Sequence, residues 1–487
     1  MKRGFLNSSK AQARPLGPVI IGPNTSKPAV SEQDVSPLQV RSFPIGKVGK
    51  VDVPEIGALN IQERDNRLGS TPGALTYTRL PIDAEDDEPV TECIFFAGSK
   101  EIVINTPGFP QPLVHPAKPT FRLGTVPGKG VAVFSMRDLK MGDLILCERP
   151  LLISVRGVPT PENPNFTEEM FLQHTMNFFE KCVAFAVDRM RPKDKAAFMA
   201  LANSHTEDGS GPCVGVIRTN GLGVSGLLPS KTDLPSNIYS ATCKDISRLN
   251  HSCSPNTSTH FDKPSLSHRL YAVRDIPAGE ELTFSYVDTE NPTTERQKNL
   301  KPYGFVCTCS ACTDPASDAR RATIETSAPN VLLWATLDRT LPDDWIFTKA
   351  HQQLELLTIE KLEHHSRFAD ATRAVMEAYI CLGDTENASV WAAKVHKQVW
   401  AGEYQHANIG SLLDPGNTAA YKAHPYWRTR IDPPNLVNQA LQAFAKCAGP
   451  NNIKTLGGGY TMMMLNPLDM PAGFPTGLEF PEFEPPK

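Results

Sequence analysis

Three cysteines in the stretch CTCSAC, at Cys307, Cys309 and Cys312, constrain this chain more than any other feature. The spacing C-x-C-x-x-C lets three thiolates converge on one tetrahedral zinc ion, and a closed structural site takes four ligands. The fourth must then come from elsewhere in the chain, so the fold has to carry a distant residue to this loop. The other reading is three reduced cysteines in an ordinary loop. The chain holds 11 cysteines among 487 residues, most of them single and scattered. That is too sparse for a disulfide scaffold.

The length allows two or three domains. Hydrophobic residues make up 40% of the chain, enough for a sizeable core, and charged residues 21%. A formal net charge of -4 gives no basic footprint, so direct, charge-driven nucleic-acid binding is not expected. Local basic patches stay compatible with a nucleosome or peptide partner. The N-terminal MKRGFLNSSKAQARPLGP has no apolar run of signal-peptide length, and no segment approaches a membrane span of about 20 apolar residues. A soluble protein of the nucleus and/or cytoplasm is expected.

Residues 1 to about 75 are rich in Pro, Gly and Ser and read as a disordered arm. Two strands are expected in a small appendage over 76–118, LTYTRLPI and CIFFAGSKEIVIN, joined by the acidic turn DAEDDEP. From Phe121, the run FRLGTVPGKGVAVFSMRDLKMGDLILCERPLLI reads as short strands with glycine turns. Residues 167–203 show helical periodicity through Phe171, His174, Phe178, Cys182 and Phe185. HRLYAVRDIPAGEELTFSYVD reads as two strands around Pro277-Ala278-Gly279. Beyond about Ala316 the chain turns helical: an apolar stripe from Ala371 to Leu382, a break at Gly383-Asp384, then NASVWAAKVHKQV. This predicts a helical hairpin. The segment 406–487 reads as a further helical piece and a Pro-rich tail.

Two more stretches could carry chemistry. Gly128-Lys129-Gly130 in VPGKGVAV would let a ligand lie against bare backbone, though taken alone it reads as a plain turn. It is not a phosphate loop, because both the Walker pattern and G-x-G-x-x-G are absent. The stretch DISRLNHSCSPNTS packs Asn250, His251 and Cys253 into four positions. No nucleophile signature surrounds Ser252 or Cys253, and taken alone the segment reads as a hydrogen-bonded turn.

The order of the elements changes that. A glycine turn, RLNHSCSPN, GEELTFSY and C-x-C-x-x-C in succession resemble the SET-domain protein lysine methyltransferases, over roughly residues 120–313. The resemblance implies an α+β chain: a β-rich SET fold with a pseudoknot over 119–300, interrupted by a helical insert at about 160–245. A zinc-bound post-SET loop at 301–315 and a tetratricopeptide-like helical domain at 316–405 would follow. It implies that Gly128, Lys129, Gly130 and Val131 lie along S-adenosylmethionine, and that Asn250 and His251 hold it. Tyr286 would stand at the base of the lysine channel, as the catalytic residue and also beside the cofactor. Phe305 would pack near the adenine, and Phe284 would help set the channel's width. Cys253 would join Cys307, Cys309 and Cys312 on a structural zinc.

Within the family, the order of parts resembles the SET-and-MYND branch. Only Cys182, Cys213 and Cys243 fall where a MYND finger would sit, too far apart to build one. The chain therefore resembles a fungal-type SET protein without that finger. The implied function is lysine methylation of a histone or other protein by a monomer. The competing function is a non-catalytic scaffold that recruits partners through its C-terminal helices. A zinc module reading DNA fits poorly without a basic stripe. His364-His365 are expected to face solvent, DAEDDE to be a solvated turn, and Trp391 and Trp400 to be packing residues.

Overall fold

The computed structural model describes residues 46–56, 75–160, 165–229, 238–398 and 409–432, together with the backbone of short strands at 19–20, 39–42, 453–456 and 460–463. Most of the expected N-terminal arm, most of the C-terminal tail and Trp400 lie outside the described residues.

The apolar runs of the sequence form the inner strands. In chain order the strands are β1 (Leu75–Leu80), β2 (Thr91–Phe96), β3 (Phe121–Val126), β4 (Gly130–Ser135), β5 (Leu144–Glu148), β6 (Leu152–Val155), β7 (Leu222–Val224) and β8 (Tyr239–Thr242). Next come β9 (Asn250–His251), β10 (Thr257–Asp262), β11 (Ser267–Ala272) and β12 (Glu281–Phe284). Strands β2, β6 and β8 are buried along their whole length, as central strands covered on both faces must be. They sit together in a five-stranded sheet of order β7-β8-β6-β2-β1. The first two strands therefore extend the main sheet, and β2 runs parallel to β6 with Cys93 opposite Ile153.

The stretch CIFFAGSKEIVIN is not one strand. Gly98 takes a φ of 87°, which ends the extended run, and Ser99–Ile104 form a short helix. The expected helix over 167–203 is also interrupted. Helix α1 (Glu168–Asp188) begins where the Thr167 hydroxyl accepts from the Met170 N–H, and a second helix restarts at Pro192, a residue suited to the first helical turn. Helix α2 (Pro212–Asn220) and α1 contribute Phe179, Val183, Val214 and Ile217 to the core beneath this sheet.

Two smaller sheets carry the motifs. One has the order β9-β12-β4-β3 and the other β10-β11-β5. Strands β11 and β12 flank the turn at Gly279 but belong to different sheets, so the chain crosses between sheets there. Strand β9 pairs in parallel with β12, Asn250 opposite Thr283 and His251 opposite Phe284. The NHSC stretch thus lies directly against ELTF.

The C-terminal part is helical, with α3 (Thr293–Leu300), α4 (Ser317–Thr326), α5 (Trp345–Ile359), α6 (Ser366–Cys381) and α7 (Thr385–His396). Helix α6 supplies Ala374, Val375 and Ala378 to one apolar cluster with Ile346 and Ala350, and Met376 and Ile380 to another with Ala388 and Ala392. Its small side chains allow that close approach on both sides. Gly383, at φ 71°, ends it, and the Asp384 side chain caps α7 by accepting from the Asn387 N–H at 3.0 Å. No helix among the described residues is long and apolar enough to cross a membrane.

Candidate active site and metal centre

The glycine turn joins β3 to β4. Gly128 and Gly130 both have φ 73°, a conformation other residues adopt only with strain. A Cβ on Gly128 would meet no atom within 4 Å, so open space flanks the turn. Lys129 reaches across to β12, where its Nζ lies 3.1 Å from Glu281 Oε2. The other oxygen of that carboxylate accepts from Asn250 Nδ2 at 2.7 Å. Glu281 therefore ties the glycine turn to the NHSC stretch, and the three come together although 152 positions separate Lys129 from Glu281. Asn250 is 1% exposed, and its Oδ1 has no hydrogen-bond partner. A buried acceptor of this kind costs roughly 1–3 kcal/mol until something donates to it. Val131 is the second residue of β4, next to the same turn.

His251 turns its ring toward the aromatic cluster. Its Nδ1 accepts from the Tyr286 backbone N–H at 3.0 Å, which leaves the proton on Nε2, 3.2 Å from Cys253 Sγ. Burial holds the imidazole well below the usual histidine range, at about 3, so the ring is neutral. Tyr286 is 5% exposed and donates its hydroxyl proton to the Leu249 carbonyl at 2.6 Å. Tyr303, which the sequence reading did not single out, stacks on Tyr286 at 4.9 Å and 25°. Phe305 stands edge-on to Tyr303 at 6.2 Å and 6.1 Å from the His251 ring. Phe284 packs against the same core from β12. The clue to Tyr303 was its place two residues before Phe305 in PYGFVCTC.

The sulfurs of Cys253, Cys307, Cys309 and Cys312 all lie within 4.8 Å of one another. Cys253 Sγ is 4.0 Å from that of Cys307 and 3.5 Å from that of Cys312. Four thiolates at the usual zinc distance of about 2.3 Å stand about 3.8 Å apart in a tetrahedron, whereas a disulfide would need about 2.05 Å. The donor set fits zinc, and it is the one such convergence among the described residues. Hydrogen bonds from neighbouring thiols, that of Cys253 first, hold Cys312 down at about 6, and Cys309 is pushed down for the same reason. Arg296, fully buried, points Nη2 at the Cys312 sulfur 3.8 Å away. Gln297 clamps the loop from α3: it donates to the Cys307 carbonyl at 2.7 Å and accepts from its N–H at 3.0 Å. The cysteines at the expected place of a MYND finger, Cys182, Cys213 and Cys243, are each buried in the apolar core.

The bend at Ser254-Pro255-Asn256 is held from both sides. Asn256 donates to Glu280 at 2.8 Å and accepts from the Thr283 N–H at 2.7 Å. From α4, Arg321 donates to the Cys253 carbonyl at 3.1 Å, and Glu360 fixes that guanidinium at 2.8 Å. Arg274 donates to the Ser254 carbonyl at 3.0 Å while paired with Glu363 at 3.2 Å. His364 and His365 do not face solvent. His364 Nε2 meets Thr289 Oγ1 at 3.2 Å, and His365 lies 3.3 Å from Glu290. The segment that carries them folds back onto the chain after Tyr286, and this long-range contact has no local signal.

Residues 130–287 match the family model described as "SET domain". The chain carries a SET domain. Among its relatives is "Histone-lysine N-methyltransferase set5" of Schizosaccharomyces pombe, 27% identical over 57% of this chain and 77% of that one. Over shorter stretches it is 40% identical to "Histone-lysine N-methyltransferase SET5" of Meyerozyma guilliermondii, covering 18% of each chain. It is 49% identical to "Histone-lysine N-methyltransferase SMYD3" of Homo sapiens, covering 15% of this chain and 17% of that one. The SET domain places it with the protein-lysine N-methyltransferases, in agreement with the expected family and with its likeness to both the fungal SET proteins and the SET-and-MYND branch. Its described strands, with Cys253 inside the matched residues and Cys307, Cys309 and Cys312 just beyond them, are the β-rich part of an α+β fold.

Proposed function

We propose that the protein transfers a methyl group from S-adenosylmethionine to a lysine side chain of a histone or another protein. The observation that carries this reading is the junction at NHSC. There the unpartnered Asn250 Oδ1 and the open glycine turn adjoin the aromatic group of Tyr286, Tyr303 and Phe305. When bound, S-adenosylmethionine supplies an electrophilic methyl carbon and a sulfur that leaves as a neutral thioether. Gly128, Lys129, Gly130 and Val131 would line its path along the backbone. Asn250 would accept from its amine, His251 would wall its inner side, and Phe305 would pack on the adenine side.

The lysine amine must lose its proton before it can attack, and its ordinary pKa is about 10.4. Aromatic walls disfavour the ammonium form, so the proton leaves to water outside the channel. Because the Tyr286 hydroxyl gives its proton to Leu249, it offers the amine an oxygen lone pair. That lone pair fits Tyr286 for aiming the amine in line with the methyl carbon, where orientation supplies most of the rate. It does not require Tyr286 to act as a general base.

A zinc ion on Cys253, Cys307, Cys309 and Cys312 would lock the loop bearing Phe305 to the strand bearing Asn250. It would have no open position for chemistry. We assign the helices α5 to α7 to a tetratricopeptide-like domain beside this centre. The chain's histone-acting relatives support a nuclear or cytoplasmic place for it. Radiolabelled methyl transfer to histones and to a cell extract tests the reading. Label on protein lysine supports it; cofactor binding without labelled product across that panel would favour a scaffold.

A further inference from the structure

We propose that Glu281 is a positioning residue that fixes which end of the Asn250 amide faces the methyl donor. The proposal rests on the cofactor reading above and deepens it. A terminal amide has two orientations related by a half-turn, and they present opposite hydrogen-bonding groups to a ligand. A carboxylate can only accept. With Glu281 Oε1 at 2.7 Å from Nδ2, the amide must turn its NH2 to Glu281 and its oxygen the other way. That oxygen is the buried Oδ1 with no partner. What it lacks is a donor, and a donor with positive charge makes the stronger bond.

The second oxygen of Glu281 holds Lys129 at 3.1 Å, and the Lys129 side chain is 43% exposed. An ammonium has three donors, so Lys129 has donors left for an anionic group at the glycine turn. The three residues then read opposite charges of one ligand: Asn250 takes an ammonium and Lys129 a carboxylate, while Glu281 holds both in register. An α-amino acid is the chemical class with those two groups on one carbon. Glu281 itself needs no contact with the ligand. Its place is secured by strand pairing, since β12 sets it opposite Phe134 of β4.

Glu281→Gln keeps the shape of the side chain and offers an amide that can donate as well as accept, so Asn250 is released to either orientation. Isothermal titration with S-adenosylhomocysteine and with 5′-methylthioadenosine, which lacks the amino-acid part, tests the proposal without reference to turnover. Glu281→Gln is expected to weaken S-adenosylhomocysteine about tenfold, the equivalent of about 1.4 kcal/mol, and to leave methylthioadenosine unchanged. On an Asn250→Ala background it should cost nothing further. Glu281→Asp, still only an acceptor, should retain more of the preference for the amino acid. Equal losses for both ligands, full retention of S-adenosylhomocysteine affinity, or additive losses in the double variant overturn the positioning role. A wild-type protein that binds neither ligand overturns the cofactor reading, and this proposal with it.

Discussion

Tyr286 illustrates how one side chain's partner decides its chemistry. Its hydroxyl proton is committed to the Leu249 carbonyl, so Tyr286→Phe removes an aiming hydrogen bond and leaves the ring packed on Tyr303. A bond of roughly 1.5–3 kcal/mol corresponds to a loss of kcat of about 10- to 150-fold. Steady-state rates should show that loss, while titration with S-adenosylhomocysteine shows binding within about twofold of wild type. His251 makes a second prediction, because its Nε2–H faces the Cys253 sulfur. His251→Ala should weaken zinc about 10- to 100-fold, read by competition with a chromophoric chelator. The sequence was most legible here: Asn250, His251 and Cys253 stand in one short motif. Tyr303 and Glu281 were missed because a stacked ring and a bridging carboxylate acquire meaning only when β9, β12 and the loop bearing Phe305 come together.

At the level of elements, the C-terminal helices matter to the four-cysteine cluster through the bend that follows Cys253. Arg321 and Glu360 are each 1% exposed, and Arg321 reaches the Cys253 carbonyl. Arg321→Met strands a buried carboxylate that Arg320 only partly compensates, and should destabilise the fold by about 3 kcal/mol, measured by urea denaturation. It should also hasten zinc release by a chelator, since the backbone of one ligand loses its tether. A destabilised variant with unchanged zinc release would separate the helices from the site. Strands of the SET region were readable from their apolar runs and glycine turns. The helix at Ser99–Ile104 was not, because isoleucine and valine also suit a strand and only the φ of Gly98 breaks it. His364 and His365 were misplaced for a different reason: their partners, Thr289 and Glu290, lie some 75 positions away.

For the whole molecule, acid should be destabilising beyond the effect of ordinary carboxylates. His268 is 1% exposed, neither ring nitrogen has a hydrogen-bond partner, and burial holds its pKa at about 3. The unfolded chain binds that proton near pH 6.5, so between about pH 6.5 and 3 the unfolded state holds more protons and stability falls as pH falls. The slope from this one group is up to about 1.4 kcal/mol per pH unit. Urea midpoints taken from pH 7 to 5 should fall less steeply in His268→Gln than in wild type. The SET fold was legible in the order of four motifs, and the sheet that joins residues 75–96 to the SET strands was not, because strand partners are chosen by the completed core. The chemistry assigned to this fold is lysine methylation aimed by Tyr286. An extract of cells lacking the protein, treated with S-adenosylmethionine and either wild type or Tyr286→Phe, tests it most directly by mass spectrometry. Lysines methylated by wild type and largely unmodified by Tyr286→Phe are the expected result; methylation at equal levels with both proteins, or with neither, would contradict it.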